Sequence, residues 1–346
     1  MNQTVSVTVR IMGTGSYLPE RVVTNDEIAP GMGSTDEWIV SHTGIKSRHF
    51  ASNDESSSSL GVKAGERALA AAGVKPEEIG LVLCATSSPD YNNFPSNACL
   101  IQAKLGCTNA GAFDLAAACS GFVYGLEMAR CYLACHPESK VLVIGSEVLS
   151  RCVDWKERTV SMLFGDGAGA VVIGNDESAG VAGMTTKATT ILGADGNGSH
   201  FILRTGGTRE SLPLDPVTGI PGKPQPAVAS LTLQGHDVFA FAVRKLAKVV
   251  DDLCIHLGTR PDELDRVFAH QANRRIIEAT ARRMKLPLEK FWLNLETTAN
   301  TSAASIPISL DQAVRSGALV EGMKIVLVGF GSGLTFGGTY CTWPHL

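Results

Sequence analysis

The sequence predicts an α/β protein made of two related halves, and three observations lead to this prediction. Short β-branched runs alternate with longer helical patterns along the chain, which is typical of buried strands covered by helices. The 346 residues are 44% hydrophobic, enough for one large core or two smaller fused ones. The same order of elements also occurs in both halves of the chain.

The individual elements follow from hydrophobic periodicity. Strands are expected at residues 79–87, 140–146, 169–174, 265–270 and 324–330. Helices are expected at residues 58–73, 120–135, 237–258, 274–285 and 304–317. Two segments are expected to be insertions: a polar loop over 51–59 that ends in a serine-rich helix start, and a proline-rich surface excursion over 208–227.

The repeat places three polar residues at matching points. In the first half, LVLCATS is followed by a loop, AACSGFVYGLEMA and KVLVIGSE; in the second, RVFAHQA is followed by a helix and loop, ANTSAASIPISLDQAV and KIVLVGFGS. Each half reads as strand, excursion, small-residue turn, helix and strand. We therefore expect the turns that carry Cys119 and Asn300 to be equivalent, and His270 to lie at a strand end of the second half. The three side chains can then converge at the seam between the halves, because ligands of open α/β sheets bind outside the carboxyl ends of strands.

Composition excludes several classes of protein. The 30 basic and 34 acidic side chains give a formal net charge of −4, which argues against a general nucleic-acid binder but leaves room for a local basic patch. No apolar stretch predicts a membrane span, and the first residues lack the apolar core of a signal peptide. Nine irregularly spaced cysteines indicate a reduced cytoplasmic protein. Cys131, Cys135 and His136 lack a second ligand pair, so no metal site is predicted.

Each of the three polar residues has two local interpretations. A helix N-terminus would lower the pKa of the Cys119 thiol, its neighbouring small residues leave space for an acyl group, and its amide could hold an oxyanion. Local sequence alone nevertheless favours a small buried packing cysteine. His270 could be a structural hydrogen bonder, and Asn300 could cap the following helix. Their occurrence together at matching points of a repeat favours a catalytic set.

Several motifs at regular spacing identify a family resemblance. They are GTGSYLPERVVTNDEI, STDEWIVSHTGIKSRHF, FPSNACLIQAKLG, AACSGFVYG, SMLFGDGAGAVV, HQANRRI and NTSAASIP. With these motifs the chain resembles β-ketoacyl-[acyl carrier protein] synthase III, a family of thiolase-fold condensing enzymes, nearly from end to end. The resemblance implies two pseudo-equivalent α/β halves, residues 1–175 and 176–346, stacked in five layers (αβαβα). The GDGAGA segment precedes a strand rather than a phosphate-binding helix, so no dinucleotide site is predicted there.

The resemblance also implies a reaction. Cys119 would take an acyl group from an acyl-coenzyme A, and His270 and Asn300 would assist decarboxylation of a malonyl group on acyl carrier protein. The carbanion would attack the acyl-cysteine and give the β-ketoacyl thioester that initiates fatty acid synthesis. The implied protein is a homodimer that needs no cofactor beyond its coenzyme A thioester substrates.

Further residues take roles from the resemblance. Trp38 and Arg158 match the pair that sandwiches the adenine of coenzyme A, and His42 stands where many members have an arginine that holds the coenzyme A tail. The amides of Cys119 and Ser332 match the two oxyanion donors. Positions that match the acyl-pocket wall are Phe94, which is expected to reach into the partner subunit, Leu149, Phe164 and Phe330.

The resemblance assigns carrier-protein docking to a basic helix. Its arginines are Arg274, Arg275, Arg282 and Arg283. Such a local positive region would attract an acidic carrier protein despite the net negative charge of the chain. The alternative for these arginines is a solvated helix face. The alternative for Trp38 and for the four residues matched to the acyl pocket is ordinary packing in the core.

Departures from the family pattern leave more than one substrate possible. Thr298 and Ala299 replace the usual His-Gly before the catalytic asparagine, and Ser332 and Leu334 interrupt a glycine-rich loop. A specialised condensing enzyme of secondary metabolism, of the alkylquinolone or resorcinol type, is therefore an alternative; it would use a longer or aryl acyl donor or malonyl-CoA. Two further alternatives are a cysteine hydrolase that uses the same three residues and a non-catalytic module that binds a carrier protein.

Overall fold

The computed structural model describes residues 8–175, 189–205 and 230–346. The strands in these ranges are β1 Val9–Tyr17, β2 Arg21–Thr24, β3 Ser47–Phe50, β4 Ile79–Ala85, β5 Gly111–Leu115, β6 Lys140–Val148, β7 Asp166–Asn175, β8 Thr190–Ala194, β9 Ile202–Arg204, β10 Leu231–Leu233, β11 Arg266–Ala269, β12 Lys324–Gly331 and β13 Thr335–Thr342. The helices are α1 Asn25–Ile28, α2 Asp36–Thr43, α3 Ser57–Ala72, α4 Asn97–Leu105, α5 Gly121–Cys135, α6 Arg158–Ser161, α7 Gly235–Leu257, α8 Arg274–Met284, α9 Leu295–Thr298 and α10 Ser305–Arg315.

Two main sheets share one topology. The first has the order β1-β7-β6-β4-β5, and the second has the order β11-β12-β13-β8. In the first sheet β4 runs parallel to β5 and β6, while β7 is antiparallel to β6 and β1. The second sheet repeats this pattern, since β11 is parallel to β12 and β13 is antiparallel to β12 and β8. A parallel bridge between Val267 and Phe291 takes the place of β5, so the predicted duplication is present strand by strand.

Helices α5 and α10 lie between the two sheets. Phe122 and Leu126 of α5 and Ile306 and Leu310 of α10 join strands of both sheets in a single buried cluster. Helices α3 and α4 cover the outer face of the first sheet, and α7 and α8 cover the outer face of the second. The order helix, sheet, helix, sheet, helix confirms the predicted αβαβα layers.

The turns that precede α5 and α10 are equivalent in detail. A 3₁₀ turn over Ala118–Ser120 leads into α5, and another over Ser302–Ala304 leads into α10. Each turn begins with a residue in the left-handed region, Ala118 at φ 45° and Ser302 at φ 47°. Aligning the turns pairs Cys119 with Ala303 and places Asn300 just before its own turn. The equivalence of the turns was predicted, but the residue that matches Cys119 is an alanine.

Each turn packs against a strand glycine of the other half. A Cβ atom at Gly331 of β12 would lie 2.6 Å from the backbone nitrogen of Cys119. A Cβ atom at Gly145 of β6 would clash with the backbone carbonyl of Ala303. The two strands must therefore carry glycine at these positions for the turns to approach so closely.

The sequence predicted five of the strands and five of the helices described above. The five predicted helices each begin and end within two residues of the observed bounds. The elements that were not predicted are the strands β1, β2, β3, β5, β8, β9, β10 and β13 and the helices α1, α2, α4, α6 and α9. The excursion at 208–227 and the proposed boundary between residues 175 and 176 involve residues outside the described ranges, so both stay predictions. In the described part of the chain, no helix is long and apolar enough to cross a membrane.

We predict that Gly145→Ala destabilises the fold by at least about 2 kcal/mol, because the added methyl group overpacks the seam. Urea unfolding of the variant and the wild type measures this difference. Gly31→Ala is the matched control, since a Cβ there meets no atom within 4 Å. Equal unfolding midpoints for Gly145→Ala and the wild type would contradict the reciprocal packing of the turns.

Candidate active site

The seam between the halves opens into a cavity of about 810 Å³. Cys119, His270 and Asn300 all line it. They arrive from different elements: the turn before α5, the segment that follows β11, and the segment before the 3₁₀ turn that leads into α10. The predicted convergence of these three side chains is therefore observed.

The environment of Cys119 raises rather than lowers the pKa of its thiol. The side chain is partly buried at the cavity wall, and the desolvation of the thiolate raises the pKa to about 12. The Ser302 side chain opposes this rise in pKa, and the nearby Glu147 carboxylate adds to it. The lowered thiol pKa that the sequence predicted is therefore not found, because desolvation by burial is the largest influence on this pKa.

His270 is a neutral imidazole held in one orientation. It is buried, and desolvation lowers its pKa to about 3. Its Nδ1 lies 2.7 Å from the Ser305 hydroxyl oxygen, which also accepts a 3.4 Å hydrogen bond from the Gln271 amide. The Ser305 hydroxyl can donate to Nδ1, and in that arrangement the neutral ring carries its hydrogen on Nε2.

Asn300 is fixed so that its amide nitrogen is available to the cavity. Its Oδ1 accepts a 2.8 Å hydrogen bond from the Ser302 backbone, and its backbone bonds to Leu163 and Gly165 on either side of Phe164. The interpretation of Asn300 as a helix cap was wrong, since neither the 3₁₀ turn before α10 nor α10 itself has a side-chain cap hydrogen bond. Nδ2 keeps its two N–H donors for other partners.

A buried arginine supports the segment that holds Asn300. Arg48 is fully buried, and it donates hydrogen bonds of 2.7 Å to Asn25 Oδ1 and 2.9 Å to the Met162 carbonyl. Burial lowers its pKa to about 10. Met162 directly precedes the Leu163–Gly165 stretch bonded to Asn300, so the Arg48 guanidinium fixes the position of that stretch.

The residues matched to coenzyme A binding form one cluster at the cavity. Trp38 and His42 line the cavity, and their rings stack with centroids 4.1 Å apart. The Arg158 guanidinium carbon lies 4.8 Å from the Trp38 ring centre. A base stacked between Trp38 and Arg158 would need about 3.5 Å on each side, which is more than the present separation of the two groups. A base can therefore enter between Trp38 and Arg158 only if Arg158 moves.

Three of the four residues matched to the acyl pocket line the cavity. They are Leu149, Phe164 and Phe330. Phe94 is 82% exposed and is not among the described residues around the cavity of its own chain. Ser332 lines the cavity, and its hydroxyl donates a 2.7 Å hydrogen bond to the Ile202 carbonyl.

The four arginines matched to carrier-protein docking all lie on the exposed side of α8. Arg275 also lines the cavity, whereas Arg274 forms a 2.9 Å ion pair with Glu278. Arg282 and Arg283 occupy the last turn of the helix. The helix therefore extends a positive surface away from the cavity.

Sequence analysis missed three polar residues around the catalytic set. Ser302 contacts Cys119, Ser305 contacts His270, and Glu147 is fully buried beside them. The signal for Glu147 was present in the sequence, since a carboxylate interrupts the apolar run KVLVIGSEV and buried charges are rare without a partner. Among the described residues, no cluster of three or more potential metal ligands occurs.

Comparisons with known proteins agree with this geometry. Residues 113–196 match the family model of 3-oxoacyl-[acyl-carrier-protein] synthase III, and residues 254–343 match the model of its C-terminal region. The β-ketoacyl-[acyl-carrier-protein] synthase III of Xanthomonas axonopodis pv. citri is 45% identical over 95% of this chain and 96% of the relative.

Solved structures show the same relationship. The 3-oxoacyl-(acyl carrier protein) synthase III of Pseudomonas aeruginosa superimposes with a TM-score of 0.87 at 35% identity, covering 98% of this chain and 99% of that one. The priming β-ketosynthase of the R1128 polyketide pathway superimposes with a TM-score of 0.85 at 35% identity, covering 100% and 99%. The chain therefore belongs to the β-ketoacyl-[acyl carrier protein] synthase III family of thiolase-fold condensing acyltransferases.

Proposed function

We propose that this protein carries out a decarboxylating Claisen condensation in two stages at one site. In the first stage, the Cys119 sulfur takes an acyl group from an acyl-coenzyme A. In the second, a malonyl group on acyl carrier protein loses carbon dioxide and attacks the acyl-cysteine. The observation that carries this proposal is the convergence of Cys119, His270 and Asn300 in one cavity.

The second stage needs hydrogen-bond donors that are not acids. Loss of carbon dioxide leaves negative charge on the thioester oxygen, and the Nε2–H of His270 and the Nδ2–H of Asn300 can both bond to it. Burial keeps His270 neutral, so the ring stabilises the enolate without protonating its carbon. The enolate carbon then attacks the acyl carbonyl and displaces the Cys119 sulfur.

The remaining predicted residues serve binding and positioning in this proposal. The Cys119 and Ser332 amides hold the oxyanion, and Leu149, Phe164 and Phe330 surround the acyl group. Trp38, His42 and Arg158 bind the nucleotide end of coenzyme A. The arginines of α8 bind an acidic carrier protein, because they lie on an exposed face next to the cavity mouth.

Family membership favours this reaction over a cysteine hydrolase and over a non-catalytic binding module. The choice of acyl donor is a separate question, since the chain resembles a polyketide priming enzyme as well as fatty acid enzymes. A short acyl-CoA primer in fatty acid initiation is our first choice, because relatives that are 41% to 45% identical are named β-ketoacyl-[acyl-carrier-protein] synthase III. The nine free cysteines fit a reduced cytoplasmic location.

We also propose that the protein is a homodimer that pairs through β5. Strand β5 is the last strand of the first sheet, so its outer edge has no strand partner among the described residues. Phe113 on this strand is 45% exposed, and Tyr91 and Phe94 are exposed in the loop after β4. An uncovered edge strand with apolar neighbours is a template for pairing with a second copy.

The catalytic roles predict a split between acylation and condensation. Cys119→Ala should acquire no acyl mass from a panel of acyl-CoAs in intact-mass measurements, because the attacking sulfur is gone. His270→Ala and Asn300→Ala should still acylate but condense at least about 100-fold more slowly. The control is Cys99→Ala, which removes an exposed thiol. Full condensation by either the His270 or the Asn300 variant would refute the assigned roles.

The neutrality of His270 predicts a flat pH profile for decarboxylation. Malonyl decarboxylation by Cys119→Ala, followed as carbon dioxide release, should lose little rate from about pH 8.5 down to about pH 5.5. The reason is that the pKa of His270 is about 3, so the ring gains a proton only in much more acidic solution. Circular dichroism at each pH checks that the fold persists. A loss of rate with a midpoint near about 6.5, the ordinary histidine value, would show that His270 is not desolvated.

The proposed dimer predicts a mass of twice the 36.5 kDa chain in sedimentation equilibrium. Phe113→Lys should shift the protein toward the single-chain mass, because a charge on the edge strand opposes pairing. Ile255→Lys is the control, since Ile255 is 73% exposed on α7, away from this edge. A single-chain mass for the wild type would contradict the proposed homodimer.

A further inference from the structure

An arginine side chain connects two segments of the cavity wall. Arg204 on β9 lines the cavity, and so does Ser87 in the loop that follows β4. The Arg204 Nη1 donates a 2.7 Å hydrogen bond to the Ser87 carbonyl oxygen. The guanidinium group therefore spans the gap between β9 and this loop. The proposed reaction assigns no role to this arginine.

The hairpin that carries Arg204 packs against the proposed acyl pocket. Strand β9 pairs with β10, and Arg204 lies directly opposite Leu231. Residues opposite each other in an antiparallel pair have their side chains on the same face. Leu231 belongs to one buried cluster with Leu149 and Phe164, which both match acyl-pocket positions. The Arg204 side chain therefore lies on the face of the hairpin that is turned toward the proposed acyl pocket.

The backbone is anchored on both sides of this connection. The Ser87 amide donates 3.0 Å hydrogen bonds to both carboxylate oxygens of the buried Glu147, and the Ser88 hydroxyl donates a 2.5 Å bond to the same carboxylate. On the other side, the Leu231 amide donates a 3.0 Å hydrogen bond to the Cys152 carbonyl. Removing the arginine side chain should therefore leave a gap between two fixed segments rather than let them collapse together.

Arg204 also separates the cavity from the protein surface. It is exposed although it lines the cavity, so the guanidinium group has one side toward the cavity and another toward the outside. An acyl chain too long for the cavity would leave it between β9 and Ser87, where this group lies. To pass, the chain must break the Arg204 hydrogen bond, which is unfavourable because an apolar chain cannot replace it.

We infer that Arg204 closes the acyl-binding end of the cavity and thereby limits the length of the acyl donor. This inference rests on the proposed function and names its substrate class, which is acyl-CoA with a short acyl chain. A short chain ends before the guanidinium group and leaves its bond to Ser87 intact. The arrangement thus favours a short primer over the alternative of a longer acyl donor.

The test compares how fast Cys119 is acylated by donors of different length. The wild type and Arg204→Ala are each mixed with acetyl-CoA, hexanoyl-CoA and decanoyl-CoA, and intact mass measured over time gives a second-order rate constant for each donor. The wild type should react faster with the two shorter donors. In Arg204→Ala the ratio of the decanoyl to the hexanoyl rate constant should rise at least about 10-fold, because the longer chain can now leave the cavity through the gap.

This ratio distinguishes a limit on length from a general structural effect. A weakened fold, or a weaker attraction for the anionic coenzyme A, lowers the rate constants of all donors alike and cancels in the ratio. Arg266→Ala is the control, because Arg266 also donates to backbone carbonyls but is not among the described residues around the cavity. It should keep the wild-type ratio within about twofold. If circular dichroism shows that Arg204→Ala does not fold, Arg204→Ser removes the same group.

Two results would overturn the inference. One is an unchanged ratio in the Arg204 variant, and the other is a wild type that reacts with decanoyl-CoA as fast as with hexanoyl-CoA. A wild type that acquires no acyl mass from any of the three donors would instead refute the proposed function, and the limit on donor length would fall with it.

Discussion

The site depends on the reciprocal packing of two turns against two glycines. The turn that carries Cys119 contacts Gly331 of the second half, and the turn at Ala303 contacts Gly145 of the first. These two contacts bring the turn backbones against the strand backbones and so fix the position of one half relative to the other. Because Cys119 belongs to one half and His270 and Asn300 to the other, their mutual geometry is set by this seam rather than by any direct contact between them.

Burial at the seam determines the chemistry that the three residues can perform. It keeps His270 neutral and leaves the Cys119 thiol protonated at rest. A neutral imidazole and an amide suit the stabilisation of an enolate oxygen, for which acids would be harmful. The same burial keeps the thiol protonated, which works against its attack in the first stage. Burial thus favours the decarboxylation and condensation stage and disfavours the ionisation of the thiol in the acylation stage.

Sequence analysis predicted the repeat and the convergence of Cys119, His270 and Asn300 from strand and helix periodicity and from the repeated order of elements, whereas the five layers were implied by the family resemblance. It missed Ser302, Ser305 and Glu147, since their importance lies in contacts between segments far apart in the chain. The direction of the Cys119 pKa shift was wrong for the same reason: the helix end is visible in the sequence, but the desolvation depends on the packed surroundings. Phe94 matches an acyl-pocket position by sequence, yet its own chain leaves it exposed.

The most direct test of the account is a crystal structure of Cys119→Ala bound to a malonyl-CoA analogue that cannot lose its carboxylate. We expect the thioester oxygen to lie within hydrogen-bonding distance of both His270 Nε2 and Asn300 Nδ2, with the nucleotide end beside Trp38 and Arg158 displaced from its present contact. A thioester oxygen bound away from both His270 and Asn300 would contradict the claim that these two side chains stabilise the condensing enolate.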